Sequence, residues 1–170
     1  MKSLLRLCIN TKYLKSFKSP IQFIFALPES EYNPGCIHFF NAMGNNFKYA
    51  EETRKIIGAS MTVHRNLGGG NFTENIFHRA LLLELTESGL LFESEKELPV
   101  YYKDKLIGKK RVDIFVEEKI LVELKAIHQF EKIHYNQIIN YLKVFNMEVG
   151  LLINFGTQSL QVKRFVNNKL

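Results

Sequence analysis

Arg111-Val-Asp-Ile-Phe-Val-Glu-Glu-Lys-Ile-Leu-Val-Glu-Leu-Lys125 consists of two β-branched runs joined by a charged turn, Glu117-Glu118-Lys119. The second run is an apolar strand interrupted only by Glu123 and Lys125, which alternation places on one face. A hairpin closing around a three-residue loop pairs Val116 with Ile120 and sets Asp113 opposite Glu123. Two carboxylates and an ammonium then meet at the edge of an apolar sheet. Charges in such a place are costly unless they bind something. A carboxylate pair suits a hard divalent cation such as Mg²⁺, and a neighbouring lysine suits a phosphate or an attacking water.

Working outward, the whole chain of 170 residues and 19.8 kDa has the length of one domain with a real core. Its 46% hydrophobic and 24% charged residues are ordinary for a globular protein. Fourteen Phe and seven Tyr without Trp indicate an aromatic-rich core and name no ligand. The net charge of +6 is compatible with a polyanionic partner such as DNA or RNA. Cys8 and Cys36 have neither metal-ligand spacing nor the density of a secreted disulfide framework. No stretch has the roughly 20 apolar residues that span a bilayer. The expected setting is therefore a reducing cytoplasm, with no membrane partner.

The chain divides into a basic N-terminal extension over residues 1–48 and a domain over 49–170. Lys2, Arg6, Lys12, Lys15 and Lys18 against Glu29 and Glu31 give 5 − 2 = +3 in the first 42 residues, half of the total excess. Pro20, Pro28 and Pro34 break this segment, which has no sustained period. It reads as a disordered or artefactual extension or as a functional arm, with Met43 an alternative start. The apolar run from Ile21 to Leu27 makes a poorly formed targeting signal.

From Tyr49 the periodicity sharpens. Ile57, Met61 and His64 recur at helical spacing until Gly68, and a second helix is expected from about Asn71 to Ser88, with Gly89 as its stop. Strands follow over Phe92–Tyr102, Lys105–Val116 and Ile120–Ala126, then a helix over Glu131–Phe145 and strands over Val149–Asn154 and Leu160–Val166. This order implies a mixed β-sheet flanked by helices, an α/β fold.

Asp113, Glu123 and Lys125 have the spacing of an acid on one strand followed by acid-any-Lys on the next. An edge-strand ion pair on a solvated face is the competing reading, but Ile120-Leu121-Val122 argues for a central strand. Glu74 has two readings: the closing residue of a capping box begun by Asn71, or a third carboxylate on the helix face shared with Phe77 and Leu81. Gln137 and Tyr141, four apart, share a face of the third helix. His38, His64, His78, His128 and His134 lack zinc-like spacing and read as structural or surface residues. Gly68-Gly69-Gly70 lacks the Lys-Ser/Thr of a phosphate loop.

Several blocks in order carry a family resemblance: Lys55-Ile-Ile-Gly58, His64-Arg-Asn-Leu-Gly68, Glu74-Asn-Ile-Phe-His-Arg-Ala-Leu81, Leu98-Pro-Val-Tyr-Tyr102, Val122-Glu-Leu-Lys-Ala126, Gln137-Ile-Ile-Asn-Tyr-Leu142 and Gly150-Leu-Leu-Ile-Asn-Phe-Gly156. Over about residues 50–167 the chain resembles the GxxExxY family, a bacterial and archaeal branch of the PD-(D/E)XK nuclease-like superfamily. Two positions depart from the pattern. The name-giving Tyr is Phe77, which keeps the packing and loses the hydroxyl. The Gly three residues before the Glu is Asn71, a residue that still tolerates a left-handed turn.

The resemblance implies a restriction-endonuclease-like core and metal-dependent hydrolysis of DNA or RNA. Asp113, Glu123 and the Leu124 carbonyl would hold Mg²⁺ or Mn²⁺, with Glu74 completing the shell. Lys125 would position the attacking water, and Gln137 and Tyr141 would steer the substrate, as in the RecB-like spacing they resemble. The alternative is a nucleic-acid-binding or protein-interaction module that keeps the fold without cutting.

Overall fold

The computed structural model describes residues 48–167, so the expectations for the N-terminal extension, Cys8, Cys36 and His38 lie outside the described residues. Helix α1 (Ala50–Leu67) is followed by α2 (Glu74–Glu87), then β1 (Phe92–Ser94), β2 (Glu97–Tyr102), β3 (Lys105–Arg111), β4 (Ile114–Val116) and β5 (Ile120–Lys125). Helix α3 (Lys132–Val144), β6 (Val149–Asn154) and β7 (Gln161–Val166) complete the order. Five strands form a mixed sheet in the order β1-β4-β5-β6-β7, and β2 and β3 form a separate two-stranded ribbon.

Strand β5 is the central strand, antiparallel to β4 and parallel to β6. Its neighbours cover both edges, which explains the near-continuous apolar runs of β5 and β6. The β4–β5 register is the expected one: Val116 faces Ile120, Phe115 faces Leu121 and Ile114 faces Val122. Phe115 and Leu121 pack with Ile138, Tyr141 and Leu142, so one sheet face is closed by α3. Where α3 crosses β6 the backbone at Gly150 comes close: a Cβ there would lie 2.9 Å from Ile138. Helix α1 packs on α2, and α2 reaches β5.

Three expectations are corrected. The strand expected over Phe92–Tyr102 is two strands in two sheets, because Glu95 has φ 53° and turns the chain. Lys105–Val116 is likewise divided at Val112 and Asp113. Backbone bonds from Glu95 N to Asp113 O (2.8 Å) and from Val112 N to Lys96 O (3.0 Å) carry the pairing around this bend. Helix α2 starts at Glu74 with Thr73 as N-cap, three residues later than expected. Among the described residues no helix is long and apolar enough to cross a membrane.

Candidate active site

The site forms where β5 ends. Continuing the β4–β5 register by one residue sets Asp113 opposite Glu123. Glu123 and Lys125 alternate with Leu124 and share the face of Leu121, the face closed by α3. Asp113 Oδ2 accepts a hydrogen bond from the Leu124 backbone N–H at 2.7 Å, joining the acid of the bend to the active strand. Lys125 Nζ donates to Glu123 Oε1 at 2.7 Å, the Glu123 side chain being buried and that of Lys125 mostly so. The Gln137 amide donates to the same Glu123 oxygen and, at 3.0 Å, to the Tyr141 hydroxyl. These bonds leave Asp113 Oδ1 and Glu123 Oε2 unengaged by them.

Helix α2 contributes from its first turn. Because the helix starts at Glu74, the capping box with Asn71 does not form, and the Thr73 side chain makes no cap bond either. Released from that local role, the Glu74 carboxyl interacts with Lys125, Asp113 and the Ala126 backbone amide, although the residue as a whole is exposed. One turn on, His78 Nε2 lies 3.3 Å from the Asp113 carbonyl oxygen and 3.3 Å from Ser94 Oγ. Phe77 is fully buried and stacks on Phe155, ring centroids 4.8 Å apart, so α2 is fixed against the end of β6. The left-handed turn residues before α2 are Gly68 and Gly70; Asn71 does not adopt that conformation.

A family model described as the PD-(D/E)XK nuclease superfamily matches residues 50–165. The chain belongs to the PD-(D/E)XK nuclease superfamily. Its five-stranded mixed sheet with flanking helices is the restriction-endonuclease-like core expected of that superfamily. No curated protein matches the chain. Among solved structures, one described as "Crystal structure of SSO0001" aligns at 21% identity and TM-score 0.43, over 70% of this chain and 60% of its own.

The electrostatics of this cluster follow from three carboxylates sharing one ammonium. Glu123, 4% exposed, is pushed up to about 7, first by burial and then by the charge of Asp113, against the pull of Lys125. Glu74 is raised as well, by burial before anything else, with Asp113 adding to it and Lys125 opposing. Burial works to lower Lys125, but its bond to Glu123 and the charges of Glu123, Glu74 and Asp113 outweigh it and hold it above the ordinary lysine value. Burial first, and the surplus of negative over positive charge second, favour the protonated form of the Glu123 and Glu74 carboxyls.

Among the described residues no three Asp, Glu, His or Cys side chains already stand as a metal-holding group. The donor chemistry nevertheless suits a hard divalent cation: carboxylate and carbonyl oxygens with surplus negative charge.

Asn154 had no role assigned from sequence. Fully buried, it accepts from Ile127 N (3.0 Å) and Gly156 N (2.9 Å) and donates to Ile127 O (2.8 Å). Its strand partner is Lys125, and Phe155 N donates to Lys125 O at 2.8 Å. The chain leaving β5 is thereby pinned beside the lysine. The available signal was an amide ending an otherwise apolar strand. Two histidines take structural parts: His64 meets the Thr157 carbonyl at 2.9 Å, and His134 accepts from Glu131 N at 3.0 Å.

Proposed function

We propose that the chain is a metal-dependent nuclease that hydrolyses phosphodiester bonds of DNA or RNA, with Asp113, Glu123 and Lys125 as its core. The observation that supports this most strongly is the buried Lys125–Glu123 pair on the central strand, with Asp113 tied to the intervening Leu124 amide. An ion pair buried at this depth is a weak source of stability, since its desolvation offsets much of the attraction. A role in chemistry explains its placement better.

Asp113, Glu123 and the Leu124 carbonyl would hold Mg²⁺ or Mn²⁺, with Glu74 completing or orienting the shell. When bound, the cation would offset charge developing on the phosphate. Lys125 is protonated at neutral pH, so it positions the attacking water and stabilises developing anionic charge by hydrogen bonding rather than by removing a proton. Gln137 fixes the Glu123 carboxylate, and Tyr141 in turn holds Gln137. This pair sets the acid's orientation and steers substrate. Membership of the GxxExxY branch, and a cytoplasmic setting beside a nucleic-acid substrate, belong to the same proposal.

The test is incubation of single- and double-stranded DNA and RNA with the protein in Mg²⁺, Mn²⁺ or chelator. Cleavage should appear only with metal and fall by a hundredfold or more, an order-of-magnitude expectation, in Lys125→Ala. Binding without cleavage under every metal, unchanged in Lys125→Ala, would favour the non-catalytic module instead.

A further inference from the structure

The ribbon β2–β3 stands outside the five-stranded sheet yet begins at the site. Its two strands continue from β1 and β4 around the bend at Glu95 and Asp113, so the arm departs from the chain at a proposed catalytic acid. All seven residues of β3 are exposed. The arm's inner face carries Leu98 and Lys110, which pair with each other, and Leu98 packs toward the α3 cluster. Lys110 Nζ lies over the ring of Tyr141, 5.8 Å from its centroid, and Tyr141 is bonded to Gln137 and through it to Glu123. A cation therefore stands beside the hydrogen-bonded cluster.

The tip differs in character. Tyr101 and Tyr102 are 60% and 63% exposed, and Leu106 and Ile107 are as open. The register shift between Val100 and Tyr101 leaves Ile107 as the extra residue of a bulge, which twists the arm. Lys103 Nζ lies 5.6 Å from the Tyr102 ring centroid and Lys105 is the strand partner of Tyr102, while Lys109 and Arg111 on the outer face are occupied by Glu97 and Glu95. An exposed aromatic ring beside cations matches an unpaired strand, whose bases stack on rings while its phosphates meet lysines. Bases in a duplex are already stacked and offer no such surface.

We propose that the β2–β3 arm is a clamp for single-stranded nucleic acid, in which Lys110 holds a backbone phosphate beside the site and Tyr102, on the same face of the ribbon, stacks an unpaired base. This rests on the nuclease reading of the adjacent site and goes further by naming the form of substrate.

Fluorescence anisotropy in chelator, where a metal-dependent enzyme cannot cut, measures binding apart from cleavage. The probes are a labelled single-stranded oligonucleotide and its duplex, each tested with the full chain. Wild type should prefer the single strand. Tyr102→Ala should weaken single-strand binding by about tenfold or more and leave duplex binding nearly unchanged. Lys110→Met should weaken both and reduce the salt slope by about one phosphate contact. The clamp is overturned by equal affinities of wild type and the tyrosine variant, by duplex preference in wild type, or by no binding at all. It is equally overturned if sedimentation shows a dimer that the tyrosine variant dissolves while oligonucleotide binding stays constant. Failure of cleavage in metal would instead count against the nuclease reading and leave this binding result standing.

Discussion

The β4–β5 hairpin and the β2–β3 arm share one backbone design and live in opposite environments. Each is an antiparallel pair turned by two residues of positive φ, Glu117 and Glu118 in one, Lys103 and Asp104 in the other. In the first, every residue of β4 and all but Lys125 of β5 are buried; in the second, β3 is open along its length. The same charge therefore acts differently in each. Desolvation moves the Glu123 carboxyl up to about 7, whereas cations on the arm stay hydrated and act mainly through long-range attraction to any anion. Chemistry belongs where water is excluded, and capture where it is not.

The largest expected difference is in stability. Phe77→Ala removes a fully buried ring stacked on Phe155 and should lower unfolding free energy by about 3–5 kcal/mol, read from denaturant melts. Tyr102→Ala on the arm should change it by less than about 0.5 kcal/mol. Comparable losses at the two positions would mean that the arm is part of the cooperative core.

A second contrast is in pH dependence. Glu123 holds its proton to about pH 7 in the folded chain, against the ordinary carboxyl value of 4.5. Between those values the folded state binds more protons than the unfolded one, so metal-free stability should fall as pH rises. The shift sets an upper limit of about 3 kcal/mol on this loss. Glu123→Gln should flatten that slope in metal-free melts at successive pH values. A slope identical to wild type would show that another group carries it. Exposed arm residues should contribute nothing comparable.

How much of this was legible in the sequence divides along the same line. The β4–β5 register could be read because a three-residue charged loop between apolar runs permits few pairings, and the observed Val116–Ile120 pair follows. Helix α3 was legible in its extent, expected over Glu131–Phe145 and found over Lys132–Val144, with Ile138 and Leu142 buried. The arm was not. Its strands look continuous with β1 and β4 in sequence, and the bend depends on a glutamate at positive φ, a conformation that residue type does not announce. The start of α2 was misplaced because Asn71 and Glu74 form a credible capping pair locally, while Thr73 takes the cap position instead. Asn154 escaped notice because two of its hydrogen bonds go to Ile127, 27 residues away in the loop after β5.

The smallest effect concerns the arm's turn. Lys103 and Asp104 occupy a two-residue loop that favours Asn-Gly, so Lys103→Asn with Asp104→Gly should stabilise the arm by roughly 0.5–1 kcal/mol. Slower amide exchange in β2 and β3, with exchange in β5 unchanged, is the expected signature. Equal slowing in both would mean that the arm and the central strand open together.

Calorimetric titration of the full chain with Mn²⁺ tests the central claim most directly. Wild type should bind the ion, more tightly as pH rises through about 7 and Glu123 loses its proton, and both Asp113→Asn and Glu123→Gln should lose most of that affinity. Heats identical among wild type and the two variants at every pH would contradict the assignment of Asp113 and Glu123 as the cation's ligands.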